Sequence, residues 1–111
     1  MKKPQLFLLK PAYGEATDQF CPECALVMGY FFYQPQMRKY VDIKLIEFDK
    51  PRRDLVKLLG EDLQSSPALV FSEGERPQDT TFSEYTNRAF INDGRSICRW
   101  LGLTYGGLTP S

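Results

Sequence analysis

Apolar residues fall in short blocks along the chain, and each block has a period that suggests an element. Gln5 to Leu9 (QLFLL) is a nearly continuous apolar run and predicts a strand buried on both faces. Lys10-Pro11 stops it, and the polar stretch 11–20 predicts a surface loop. The run from Cys24 to Tyr33 is apolar on nearly every side. It predicts a mostly buried helix, with Pro22 as its first residue and Gln34-Pro35 as its end. Tyr40 to Phe48 alternates through Val41, Ile43 and Leu45, then changes phase at Ile46 and Phe48. This predicts a strand whose later half is buried on both faces.

Asp49-Lys50-Pro51 predicts the opening of a second helix, with Asp49 or Lys50 as N-cap. Its stripe is Leu55, Val56, Leu58 and Leu59, and Gly60 is its stop. After a polar connection at 61–66, Pro67 to Phe71 predicts a third strand, since proline is tolerated at a strand's first position. Residues 72–89 are the most polar segment and predict a long loop, with Phe82 and Tyr85 as isolated anchors. Ala89-Phe90-Ile91 predicts a short fourth strand, and Asn92-Asp93-Gly94 a turn. A short helix follows over 96–103, with Ile97, Cys98 and Leu101 inward, and then a Gly- and Pro-containing tail.

The order is βαβαββα. A strand, a buried helix and a second strand make a right-handed crossover, hence a parallel pair. The last two strands are close in sequence and suit antiparallel pairing. The expected fold is α/β: a mixed four-stranded β-sheet with helices on both faces. At 111 residues and 42% apolar, the chain suits a single domain, 1–111, with a loop insertion at 72–89.

Charge and composition narrow the function. Lys plus Arg equals Asp plus Glu at 14 each, which argues against a dedicated nucleic-acid surface. No stretch reaches the roughly 18 apolar residues of a membrane span. The N-terminal apolar run is too short for a signal peptide, so a cytoplasmic protein is expected. Histidine is absent, which removes the commonest general base and metal ligand. Three cysteines do not make a secreted disulfide scaffold.

Cys21-Pro22-Glu23-Cys24 is the sharpest chemical feature. Two residues between cysteines at a helix start bring the sulfurs within bonding reach. The first thiol sits where free backbone N–H groups and the helix dipole favour a thiolate. Cys21 is therefore the expected exposed attacking group and Cys24 the partly shielded resolving thiol. Glu23 is expected to raise the pKa of Cys21 against the helix effect. Lys10 either approaches the pair, where it is a candidate contact for a thiol substrate or glutathione, or is solvated. Arg52 and Arg53 are either solvated or, with free helix N–H groups, a candidate anion site. Cys98 reads as a small buried hydrophobe. Three alternatives stand beside redox chemistry: a structural disulfide, a binding or regulatory module without turnover, and a thiolate metal site shared across a dimer interface.

The element order, Cys21 and Cys24, and the proline after the first cysteine resemble the thioredoxin-like superfamily, closest to glutaredoxins and glutathione transferase N-terminal domains. The resemblance spans roughly residues 5–102. It implies that Ser66-Pro67 is the cis-proline segment facing the pair, where the residue before the proline presents its backbone to a thiol substrate. It also implies that 92–96, with Asp93 and Ser96, meets glutathione. The implied activity is thiol–disulfide exchange on a small molecule or protein, with no required cofactor beyond glutathione. More narrowly, LFLLKP, FCPECA, Lys50-Pro51-Arg52 and FIND resemble a small uncharacterised bacterial family of thioredoxin-fold proteins. The chain departs from those relatives in its longer loop at 11–20, its Pro-Glu centre and its insertion at 72–89.

Overall fold

A computed structural model describes residues 2–111. The elements run β1 (Gln5–Leu9), α1 (Pro22–Tyr33), a 3-10 helix (Pro35–Tyr40), β2 (Asp42–Ile46), α2 (Arg53–Leu59), β3 (Ala68–Val70), β4 (Thr81–Phe82), β5 (Ala89–Ile91) and α3 (Gly94–Tyr105). One mixed sheet has the strand order β2-β1-β3-β5-β4. β1 and β2 are parallel, with Phe7 opposite Lys44, and every other pair is antiparallel. This is the thioredoxin-like arrangement.

β1 lies between β2 and β3, which explains its apolar run. Leu6, Phe7 and Leu8 are all at or below 1% exposure. Each such side chain contributes about 1.5–3 kcal/mol by leaving water. Its alternate residues serve opposite faces. On one, Gln5, Phe7 and Lys44 line a hollow shared with Asp54, Lys57 and Leu58 of α2. α1 and α3 pack against each other, and α3 also meets β3.

Four expectations need correction. The sheet has five strands, because the 72–89 segment contains β4, a two-residue strand beside β5. That segment is also tied to α2 rather than free. Ser83 Oγ donates to the Leu59 carbonyl at 2.6 Å, and the Thr86 hydroxyl donates to the Leu58 carbonyl. Both satisfy carbonyls that a helix end leaves without partners. β2 is an edge strand, and its later half is not buried on both faces, since only Ile46 is covered. Leu45 is 54% exposed, and Asp42 and Lys44 are the charged residues that guard such an edge. α1 buries only Cys24, Val27 and Phe31, since it is covered on one side.

The helix boundaries also shift. α2 begins at Arg53, with Arg52 at its N-cap and no capping side chain. Its end is as expected, at Gly60 with φ 97°, a value that suits glycine. α3 is longer than 96–103. The expected turn at 92–94 is its start, where Asp93 accepts from the Ser96 N–H at 2.9 Å. The 3-10 helix had no separate signal in the sequence. The tail folds back on α1: Tyr30 OH donates to the Leu108 carbonyl, and the Leu108 N–H donates to Gln34 Oε1, both at 2.9 Å. Among the described residues no helix is long and apolar enough to cross a membrane.

Candidate functional site

Cys21 is the N-cap of α1, in extended backbone. Its sulfur accepts the Cys24 N–H at 3.1 Å. This is the N-cap position the sequence suggests, and it presents a free helix donor to the thiol. Across the pair lies Ser66, joined to the buried Pro67 by a cis peptide. Cys21 Sγ is 3.8 Å from the Ser66 carbonyl oxygen, and Cys24 Sγ is 3.5 Å from the Ser66 hydroxyl. That hydroxyl donates to the Phe7 carbonyl at 2.9 Å, so Ser66 is anchored to β1. The helix start and the Ser66-Pro67 turn, itself anchored to Phe7 in the middle of β1, thus converge on two free thiols.

The pair is less open than expected. Cys21 is 9% exposed and Cys24 4%. Burial comes first among the causes that push the Cys21 thiol up, from 9.0 to about 11, and the Cys24 side chain adds to it. Backbone N–H groups of Cys24 and Glu23 pull it down, but by less. The helix effect is therefore present and outweighed by desolvation.

Glu23 acts differently from the expectation. Its carboxylate accepts the Gly94 N–H at 3.0 Å, so it caps the start of α3 and joins two helix N-termini. It influences Cys21 through its backbone N–H, which lowers the pKa rather than raising it. Glu23→Ala is expected to cost about 1 kcal/mol of stability, the usual loss for a helix-start acceptor. Urea unfolding measures that cost. The pH profile of Cys21 alkylation is expected not to move, because the carboxylate does not act on the thiol.

Lys10 does not reach the pair. Its ammonium binds Glu47 at 2.8 Å in a solvent-exposed ion pair. Arg52 is committed to the chain around it. Its Nε and Nη1 donate to the Phe48 and Gln64 carbonyls, and its backbone N–H donates to Gln64 Oε1. Arg53 remains exposed beside it. Asp93 and Ser96 sit at the exposed start of α3, next to the Glu23–Gly94 contact. Asp93 is held below the usual carboxylate range by its hydrogen bonds to Ser96. Cys98 is fully buried on α3, and burial raises its thiol to about 11. Among the described residues no three His, Cys, Asp or Glu side chains gather where they could hold a metal ion.

Tyr13 is the site residue that sequence reasoning missed. The 11–20 loop folds as a small hairpin, with Tyr13 bridged to Gln19. The Tyr13 ring stacks on Phe48 at 4.1 Å, and the Arg52 guanidinium lies over the other aromatic partner at 5.3 Å. Desolvation raises the Tyr13 phenol, followed by the charges of the Cys21 and Cys24 thiolates. The only signal in the sequence is an aromatic residue in a mostly polar loop, and Phe20 in the same loop carries that signal equally.

The model of a family described as a protein of unknown function (DUF3088) matches residues 3–109. The chain belongs to that family. The match takes in Cys21, Cys24, Ser66, Pro67 and Tyr13, so the site of this DUF3088 chain lies wholly inside the family's span. No curated protein and no solved structure matches the chain.

Proposed function

We propose that this DUF3088 protein is a thiol–disulfide oxidoreductase of glutaredoxin-like type, with Cys21 as nucleophile and Cys24 as resolving thiol. The observation behind this is the position of the Cys21 sulfur, which caps α1 while facing the Ser66 carbonyl. In the exchange, the Cys21 thiolate attacks a substrate disulfide and forms a mixed disulfide. One substrate thiolate leaves. Cys24 then attacks the Cys21 sulfur, closes the 21–24 disulfide and releases the second thiolate. Two cysteine protons pass to the two leaving groups, and the protein loses two electrons. Ser66 and Pro67 would hold the substrate by backbone contacts. Glutathione is the proposed small thiol, with Asp93 and Ser96 as its candidate contacts.

The raised Cys21 pKa sets the direction of this couple. Pairs with a strongly stabilised thiolate are oxidants, because their reduced form is favoured. Burial denies Cys21 that stabilisation. The pair is therefore expected to be reducing, nearer about −270 mV than about −120 mV. Redox equilibration followed by mass spectrometry measures this, and a potential at the oxidising end contradicts the proposed direction.

The burial of Cys21 also favours a second reading, a binding or regulatory module that cycles its disulfide without turnover. Reductase assays on a glutathione mixed disulfide separate the two. Catalysis predicts turnover that disappears in Cys21→Ser. Turnover no greater than in that variant, with the 21–24 bond still forming reversibly, leaves the module reading.

A further inference from the structure

α1 turns an apolar face to solvent. Its buried residues, Cys24, Val27 and Phe31, define one side. The opposite side carries Pro22, Ala25, Leu26, Met28, Gly29, Phe32 and Tyr33, and no charged residue occurs from Cys24 to Met37. A solvent-facing helix surface is ordinarily polar. Phe32 is 83% exposed and Tyr33 81%, with Leu26 at 42%, Met28 at 39% and Leu108 of the tail at 67%. Leu26, Tyr30, Tyr33 and Leu108 line one continuous hollow beside Gly29.

Gly29 supplies an independent observation. A β-carbon built there meets nothing within 4 Å. Packing inside the protomer therefore does not require a glycine at this position. In a helix interior glycine is less stable than alanine. A glycine in the middle of an apolar helix face does allow a second helix to approach closely, because interaxial distance follows the size of the side chains at the crossing.

We propose that this face is the interface of a two-fold homodimer, with α1 packed on α1 of a second copy and the helices crossing at Gly29. Area supports a second copy. With about 150–250 Å² to bury per aromatic side chain and a comparable area per large aliphatic one, the five exposed residues offer on the order of 550 Å² per protomer, and a symmetric pair about 1,100 Å², just above the ~1,000 Å² of a specific interface. Charge supports it as well. A two-fold contact sets a surface against itself, and a face without charges meets no like-charge repulsion there. A charged partner would find nothing on it to pair with.

Sedimentation velocity on the reduced full chain, from low to high micromolar concentration, tests this. The wild type is expected to pass from monomer to dimer. Phe32→Glu is expected to remain monomeric throughout, with unchanged circular dichroism. Gly29→Ala is expected to weaken the dimer about tenfold or more while raising the thermal midpoint of the monomer, since the new methyl enters open space within the protomer. A wild type that stays monomeric overturns the proposal. So does a dimer indifferent to both substitutions. If Phe32→Glu fails to fold, Gly29→Ala still decides, because it does not crowd the protomer. The redox reading is untouched by either result.

Discussion

Reduced Cys21 is expected to react with iodoacetamide at pH 7 about tenfold more slowly than a free cysteine. The thiolate is the reacting form, and burial raises the Cys21 pKa from 9.0 to about 11. Two units lower the thiolate fraction about 100-fold at neutral pH. The more basic thiolate is also the better nucleophile, and with a Brønsted slope of about 0.4–0.5 this restores about sixfold to tenfold. The net loss is thus about tenfold, before any steric effect of a sulfur that is 9% exposed. The sign across pH follows. Because the folded pKa is raised, the group stays protonated as pH climbs through 9, and its rate rises about tenfold per unit until near pH 11. Alkylation across pH with peptide mapping reads this out for Cys21 alone. A plateau below pH 8 would mean that the helix N–H groups win over desolvation, which also reverses the direction proposed for the couple.

Gly102→Ala is expected to destabilise the protein by about 1–3 kcal/mol, in the range of overpacking a filled site. A β-carbon at Gly102 would overlap the Leu108 carbonyl oxygen and stand 2.8 Å from Thr109 Cγ2. The first is backbone and cannot swing aside as a side chain would. The tail must therefore move, and it would lose the bonds from Tyr30 and to Gln34 that fasten Leu108 to α1. Urea unfolding measures the loss, and proteolysis of 106–111 is expected to quicken. Gly29→Ala lies on the open side of the neighbouring helix and is expected to do the opposite to the protomer. The contrast separates a glycine required inside the fold from one that is not. Equal stability of Gly102→Ala and wild type would refute the docked tail.

Much of the fold was legible because its signals are local. QLFLL at β1, the proline start and proline stop around α1, and the strand beginning after Pro67 each depend on a few neighbouring residues. The misreadings have a common cause. The apolar Cys24–Tyr33 run predicts a mostly buried helix, and the later half of 40–48 predicts a strand buried on both faces. Burial, however, requires something on the other side. Only Ile46 of β2 is buried, and α1 is covered on one face. β4 was hidden because two residues, Thr81 and Phe82, carry no period. What makes them a strand is β5 beside them, together with the Ser83 and Thr86 bonds to α2.

The same division runs through the site. Residue order alone implies that two cysteines open a helix after a strand, and that a strand starting at a proline follows later. It thereby placed Cys21 at an N-cap, since helix starts follow from residue order and turn chemistry. What that position does to the thiol depends on how distant segments pack around it. Desolvation is set by everything packed around the sulfur, and here it outweighs the helix N–H groups that the sequence suggests. The structure alone also sent the Glu23 carboxylate to Gly94, across 71 residues of chain. A hydrogen bond of that separation depends on how α1 and α3 meet, which local pattern does not encode.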